Sequence, residues 1–567
     1  MRGHEPRRGH QARRPGFLAV DRTGDGRRVV SARAGPGHRE RAIEQPVRDA
    51  GPERASVVSL LRGGAPQHPA VVVPGAGGLR LSYADLAREV EASARGFAGL
   101  GIGRDDRVAL VFPNSAEGLV MFLAAAWVGA AAPLNPAYRE EEFRFYLEDT
   151  RARALVVPPV AAATAARAAA GDLMVIEATF DLDGRLVLES SRGGGEADST
   201  AALPDAEQVA LVLHTSGTTS RPKLVPLRHR NLMASVQNIV ATYPLVPEDV
   251  ALCLMPLFHV HGLLASALST LASGGTVVVP PRFNPFEFWS LIDDHAVTWY
   301  SAVPTIHQLV VSRGRDRPSG AAAGRSLRFV RSCSSALSPD LGRSLEEHMG
   351  APVLDAYGMT EAAHQMASNP LPPGERVLGS VGLATGVEMA ILDEEGKELP
   401  SGATGEVAVR GPNVMDGYEA NPRANAEAFT GAWFRTGDQG VLDPRGYLTL
   451  VGRIKELINR GGEKIAPGEI DAVLMQHPAV AEAVAFGVPH RTWGEEVAAA
   501  VVLKRGEPAP GAEVSAGKVG EKELMDFCRQ RLADFKVPRH IHLVDEIPRT
   551  ATGKVQRRSI AASFESP

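Results

Sequence analysis

His214-Thr215-Ser216-Gly217-Thr218-Thr219-Ser220-Arg221-Pro222-Lys223-Leu224-Val225 is the stretch around which the chain is organised. It follows the apolar run Val209 to Leu213, which reads as a buried strand. Between Thr215 and Lys223 it carries five Ser/Thr hydroxyls, one Gly and one Lys. A polyphosphate is held by such a set: backbone N–H groups that approach closely, small hydroxyl donors and a cation. Gly217 lets the backbone turn, and Lys223 supplies a point charge for a phosphate oxygen. It is not a Walker A loop, because Pro222 precedes the Lys and no Ser/Thr follows it. A polar turn between a strand and a helix is the plain alternative for any such cluster. The order of residues here is too particular for that reading.

Downstream motifs supply the other parts of a nucleotide site. In Asp355-Ala356-Tyr357-Gly358-Met359-Thr360-Glu361, Tyr357 offers an aromatic face for a base and Thr360 a donor for a phosphate. Glu361 is a hard oxygen ligand of the kind that suits Mg²⁺, although a Glu after a Thr, read alone, is an ordinary surface pair. In Phe434-Arg435-Thr436-Gly437-Asp438, Asp438 can accept from both ribose hydroxyls. Ser332-Cys333-Ser334-Ser335-Ala336-Leu337-Ser338-Pro339 has the small residues that let a flat base lie on backbone, and it also reads as a strand-to-helix turn with Ser338 as cap. Met255-Pro256-Leu257-Phe258-His259-Val260-His261-Gly262 places two His at alternate positions. A lone His in an apolar run is usually a hydrogen-bonded core residue, but the pair followed by Gly favours function. Metal binding by the pair is not expected, since no third ligand is indicated.

At 567 residues the chain is too long for one ordinary core, so two or more domains are expected. A net charge of −5 argues against a nucleic-acid binder. Cys253, Cys333 and Cys528 are far apart, form no metal or disulfide pattern, and fit a reducing, cytoplasmic setting. No apolar run reaches transmembrane length. Residues 1–55 hold many Arg, no Lys and few aliphatic clusters, and read as a disordered extension. From Ser56 onward, strands (Arg107–Phe112) alternate with helices (to about Leu100, and Ser115–Gly129), which means a parallel sheet covered on both faces. A helix is expected at Asn231–Thr242, and a small C-terminal unit at Pro467–Gln476, Ala483–Gly487, Ala498–Leu503 and Phe527–Leu532. Gly506 to Gly520 reads as a surface loop.

The first stretch resembles the phosphate loop of the adenylate-forming superfamily, T-S-G-T-T-G-x-P-K-G-V, with Ser220 and Leu224 in place of two glycines. Leu224 costs the loop a permissive residue and puts its mobility, and turnover, in question. Tyr357 to Glu361 matches Y-G-x-T-E, and Phe434 to Asp438 resembles Y-R-T-G-D. The resemblance implies an α/β fold: a large N-terminal AMP-binding domain (56–454) of doubly covered sheets plus a β-barrel-like part, and a small mobile α+β C-terminal domain (455–567). It implies an ATP-binding set of Thr215, Ser216, Gly217, Thr218, Thr219, Lys223, Ser334, Ser335, Ala336, Tyr357, Gly358, Thr360, Asp438, Arg453 and Lys554. It makes Lys455 the hinge, Gly461 and Gly462 the neighbours of the CoA pantetheine, and Glu361 the Mg²⁺ ligand. Lys554, in Pro548-Arg549-Thr550-Ala551-Thr552-Gly553-Lys554, becomes the catalytic lysine beside Thr360, Glu361 and the gate residue His259. Read without the resemblance, Lys554 is a solvated charge and Gly461-Gly462 a hairpin turn.

Met359 to Pro373, with His214, Ser220-Arg221 and Arg331 to Ser334, looks like the oxalyl-CoA synthetases of plants and fungi. The implied activity is an ATP-dependent acid–CoA ligase forming an acyl-adenylate and then a thioester, with oxalate as the acid. A second carboxylate in a buried pocket must be paired or hydrogen-bonded, or it costs roughly several kcal/mol. His259, His261, Ser334 and His364 can do this where a fatty-acid enzyme has apolar side chains. Medium-chain, aryl or malonate-like acids, a carrier protein as acceptor, and an inactive adenylate-binding protein are the competing readings. Monomer and homodimer both remain open.

Overall fold

The computed structural model describes residues 56–75, 78–159, 163–192, 201–215, 222–314, 326–504, 519–549 and 555–564. The expectations for residues 1–55, for Ser216, Gly217, Thr218 and Thr219, for nearly all of the 506–520 loop and for Lys554 lie outside these residues.

Two large mixed sheets carry the fold. One runs in the order Leu186–Ser190, Met174–Phe180, Ala154–Val157, Arg107–Leu110, Ala130–Pro133, Val209–Thr215, Lys223–Arg228, parallel at its centre and antiparallel at both edges. The other has nine strands. Pro69–Val72, Thr276–Val278, Val250–Leu252, Trp299–Ala302, Phe329–Ser332 and Val353–Met359 are parallel neighbours, with antiparallel strands Arg80–Ser82 at one edge and His364–Ser368 and Leu383–Ala384 at the other. The strands read as near-continuous apolar runs because both faces are covered.

The helix Ala116–Val128 is capped by the Ser115 side chain and buried continuously from Leu119 to Ala126. Such a helix belongs inside. It joins Val71 and Val277 of one sheet to Val108 and Leu110 of the other in a single core cluster. The helix Tyr83–Gly99 starts on a capping box between Ser82 and Asp85. The expected strand Arg107–Phe112 ends at Leu110, two residues early, where the approach to Pro113 takes over.

The part expected to resemble a barrel is an open antiparallel sheet: Glu388–Leu392, Thr404–Arg410, Trp433–Leu442, with Phe429–Thr430 and Leu448–Arg453 both on the ten-residue strand Trp433–Leu442. Beyond it, Ile458–Arg460, Glu463–Ile465, Val480–His490, Gly494–Leu503 and His540–Leu543 form a five-stranded sheet. The helices Pro467–Met475, Glu521–Arg529 and Arg557–Phe564 accompany it, around two core clusters of its own. The helix expected at Phe527–Leu532 begins six residues earlier, with Glu521 and Glu523 in a first turn that favours negative charge.

Candidate active site

The strand Val353–Met359 ends between two groups of polar side chains. On one side is a carboxylate cluster. Asp438 and Arg453 face each other across paired strands, with Arg453 Nε 2.8 Å from Asp438 Oδ1. The Tyr357 hydroxyl donates to Asp438 Oδ2. Burial, and then the Asp438 charge, push the Tyr357 phenol well above its usual range, so it stays a donor.

Thr360 to Ala362 form a single 3₁₀ turn, which leaves Glu361 buried. Asn413 Nδ2 holds that turn through the carbonyls of Ala362 and Gln365, at 2.9 and 3.1 Å. Glu361 Oε1 accepts from the Tyr418 hydroxyl at 2.8 Å, and Lys223 Nζ lies 4.3 Å from the centre of the Tyr418 ring. Tyr418 is itself clamped by Asn425, which accepts from its N–H at 2.7 Å and donates to its carbonyl at 2.9 Å. Burial, and then the charge of Lys455, hold the Lys223 ammonium below its ordinary range, while Glu361 pulls the other way. Thr215 sits opposite Lys223 in the strand register, so the described ends of the phosphate loop are joined.

Glu361 is a single carboxylate. Among the described residues no group of three or more His, Cys, Asp or Glu is placed to hold a metal. That donor set fits Mg²⁺, which is commonly bound by one carboxylate together with the phosphates of its substrate.

On the other side of the same strand end lies a hydrogen-bonded cluster of histidines and hydroxyls. His261 opens an eight-residue π-helix, His261–Leu268, a widened turn of the kind found at functional sites. Its Nε2 is 2.7 Å from Ser301 Oγ and its Nδ1 3.0 Å from Ser334 Oγ. The rings of His261 and His364 are 5.1 Å apart. Ser334 and His364 hold φ of 73° and 96°, and Ala363 holds 46°. Three non-glycine residues in the left-handed region around one pocket fit the storage of strain at functional sites. His259 is half-buried, and its Nδ1 accepts from the His261 amide at 3.2 Å. Asn114 fixes that loop through Met255 and Leu257.

The structure thus brings together Tyr357, Asp438 and Arg453; then Glu361 with Lys223; then His261, Ser334 and His364. It does not bring Ser335 and Ala336 into any of these three groups: both are exposed at the turn where Ser338 caps the helix Pro339–Met349. Lys455 is exposed in the 3₁₀ turn Ile454–Glu456. Gly461 and Gly462 form the turn of a tight hairpin, with φ of 62° and 98°, and Gly461 packs under the ring of Trp493. His214 meets Asp149 at 2.9 Å against the rings of Phe145 and Tyr146. Leu224 is a buried strand residue packed with Ala130 and Val212, so it fills space between elements.

Tyr418, Ser301 and Arg331 were not among the expected site residues. Arg331 carried a signal, a cation inside the apolar run Phe329 to Cys333. Tyr418 and Ser301 carried none, because their partners are distant in sequence. A cavity of about 1280 Å³ lined by Val58, Trp127, Leu203 and Met233 contains none of the residues above, so cavity size does not locate the site.

Comparison with known proteins places this geometry. The AMP-binding enzyme pattern matches residues 62–419, and that of the AMP-binding enzyme C-terminal domain matches 469–554. The chain is 47% identical to an oxalate–CoA ligase of Arabidopsis thaliana over 86% of its length and 94% of the relative. It is 44% identical to an oxalate–CoA ligase of Saccharomyces cerevisiae over 81% and 87%. The crystal structure of ATP-bound MatB from Rhodopseudomonas palustris superposes with a TM-score of 0.80 at 31% identity, covering 90% of this chain and 99% of MatB.

Proposed function

We propose, from the premise that this chain belongs to the AMP-binding enzyme family, that it is an ATP-dependent acid–CoA ligase whose acid is oxalate. The observation that carries the choice of acid is the buried polar cluster of His261, Ser334 and His364, with His259 beside it. A pocket for an aliphatic acyl chain is lined by apolar side chains, because a polar group there loses its water without compensation. A dicarboxylate reverses that preference.

A carboxylate is a poor electrophile. Its oxygen attacks the α-phosphorus of ATP, the bond to the pyrophosphate oxygen breaks, and a mixed anhydride results. The CoA sulfur then attacks the acyl carbon and AMP departs. The first step brings anions together, so catalysis is mostly positioning and charge neutralisation. Lys223 neutralises the departing pyrophosphate, and Thr360 donates to the α-phosphate. Asp438 accepts from the ribose, with Arg453 holding its carboxylate, and Tyr357 presents its ring to the base. Lys554 serves between the carboxylate and the phosphate. Glu361 would hold Mg²⁺, which would supply neutralisation of phosphate charge. Residues 56–454 form the nucleotide-binding part and 455–567 the part that delivers Lys554 and opens the way for CoA, with Lys455 as hinge and Gly461 and Gly462 beside the pantetheine.

The test is pyrophosphate release with oxalate, malonate, benzoate or octanoate, with and without CoA, for the wild type and Lys554→Ala. Oxalate preference, CoA turnover and a mutant blocked before pyrophosphate release are expected. Preference for octanoate or benzoate would discard the polar-pocket argument, and turnover only with a pantetheinylated protein would replace CoA as acceptor.

A further inference from the structure

Arg331 is the penultimate residue of the strand Phe329–Ser332, with none of its surface exposed. A guanidinium stays charged and only donates. Its partners are all neutral: Nε donates to the Tyr243 hydroxyl at 2.8 Å, Nη1 to Ser301 Oγ at 3.0 Å, and Nη2 to Gln365 Oε1 at 3.1 Å and His364 Nδ1 at 3.4 Å. Buried cations are normally paired with a carboxylate. The nearby Asp355 carboxyl feels the Arg331 charge, yet desolvation pushes it well above the usual carboxylate range.

The donor-only character of Arg331 fixes the direction of its neighbours' hydrogen bonds. His364 Nδ1 must accept, so the ring proton is on Nε2. Ser301 Oγ accepts from Arg331 and has one further contact, His261 Nε2 at 2.7 Å. If Ser301 accepted there as well, its buried proton would have no acceptor, at a cost of about 1–3 kcal/mol. Ser301 therefore donates to Nε2, His261 carries its proton on Nδ1, and that nitrogen donates to Ser334 Oγ at 3.0 Å. The Ser334 hydroxyl proton is then directed onward. His259 carries its proton on Nε2, as His364 does, because its Nδ1 accepts from the His261 amide.

We propose that Arg331 is a positioning residue that sets the acyl pocket's hydrogen bonds in one direction, so that His364 Nε2–H and Ser334 O–H are both donors above a buried positive charge. Such a pocket selects a small acid with a second carboxylate and rejects the matching monoacid. This rests on the reading that the acid enters between His261, Ser334 and His364.

The experiment compares oxalate with acetate, as KM and kcat for pyrophosphate release, in the wild type, Arg331→Met and Ser301→Ala. Imidazole ¹⁵N shifts, assigned with His364→Asn, report the tautomer of His364. Arg331→Met is expected to raise the KM for oxalate about 10-fold or more, with the KM for ATP unchanged, and to lower the oxalate-to-acetate preference by the same factor. The His364 signal leaves the pure Nε2–H position. Ser301→Ala, which removes one hydroxyl and keeps the charge, is expected to raise the KM for oxalate about 5-fold without moving the His364 signal. An unchanged oxalate KM and acid preference in folded Ser301→Ala overturns the relay, even where Arg331→Met does not fold. An Nδ1–H or doubly protonated His364 in the wild type overturns the polarity. A wild type that prefers acetate sinks the oxalate reading and the selection with it, while the ¹⁵N result separates that failure from a failure of the polarity.

Discussion

The two sides of the strand end at Tyr357 solve opposite electrostatic problems. On the nucleotide side, charge meets charge near water: Asp438 is 8% exposed, while its partner Arg453 is 41% exposed. Glu361 and Lys223 share Tyr418 between them. On the acyl side, one cation lies fully buried among hydroxyls, an amide and an imidazole. A polyphosphate arriving with its own counter-ion needs charges that exchange partners, and partial exposure keeps that exchange cheap. A small acid distinguished from its neighbours by one group needs donors that cannot turn around, and burial supplies that.

The contrast can be broken experimentally. Glu361→Gln, which keeps shape and removes charge, is expected to lower pyrophosphate release about 100- to 1000-fold, with little change in melting temperature. A comparable loss of melting temperature would make Glu361 structural instead.

The acyl side should be the acid-labile one. Burial lowers the pKa of His307, which packs behind Tyr300, from 6.5 to about 4. The folded state keeps this imidazole neutral, so unfolded chains bind the proton first. Stability is full above about pH 6.5 and is lost as pH falls toward 4, by up to about 3 kcal/mol from this group. Chemical denaturation of the wild type and His307→Leu at pH 7 and pH 4.5 tests it. A variant with the same pH slope as the wild type removes His307 from the account.

Asp438→Asn leaves Arg453 without its carboxylate and is expected to raise the KM for ATP about 10- to 30-fold while leaving that for the acid unmoved. A rise in both would show that the two sides are not independent. The smallest effect belongs to Tyr418→Phe. It keeps the ring under Lys223 and removes the donor to Glu361, so the Mg²⁺ concentration for half-maximal rate should rise about 5-fold, near 1 kcal/mol. A titration that superposes on the wild type would assign Tyr418 to packing alone.

The sequence was most informative where chemistry is local. Tyr357, Thr360, Glu361 and Asp438 stand in short motifs, and capping at Ser82, Ser115 and Ser338 follows from neighbours a few residues away. It was least informative where partners are remote. Tyr418 reaches Glu361 across 57 positions, and nothing near it in the chain marks it as a site residue. Arg331 was visible as a charge inside an apolar run, but its meaning depends on Ser301 across a parallel register, Tyr243 at a helix end and His364 on an antiparallel strand, which only the folded chain gathers. Leu224 looked like a defect in a loop. In the register it faces His214 and fills a gap beside Ala130, a packing role that composition does not reveal.

One close approach bears on how this protein's acid preference changes over generations. A Cβ at Gly358 would sit 1.9 Å from the carbonyl oxygen of His364, and His364 holds its own backbone at φ 96°. Position 358 belongs to the motif proposed to read ATP, and position 364 to the pocket proposed to read the acid. A side chain at 358 is therefore barred by the backbone of residue 364, whichever residue stands there. A lineage seeking a new acid has more freedom at Ser301, which holds no left-handed backbone, than at Ser334 or His364, which both do.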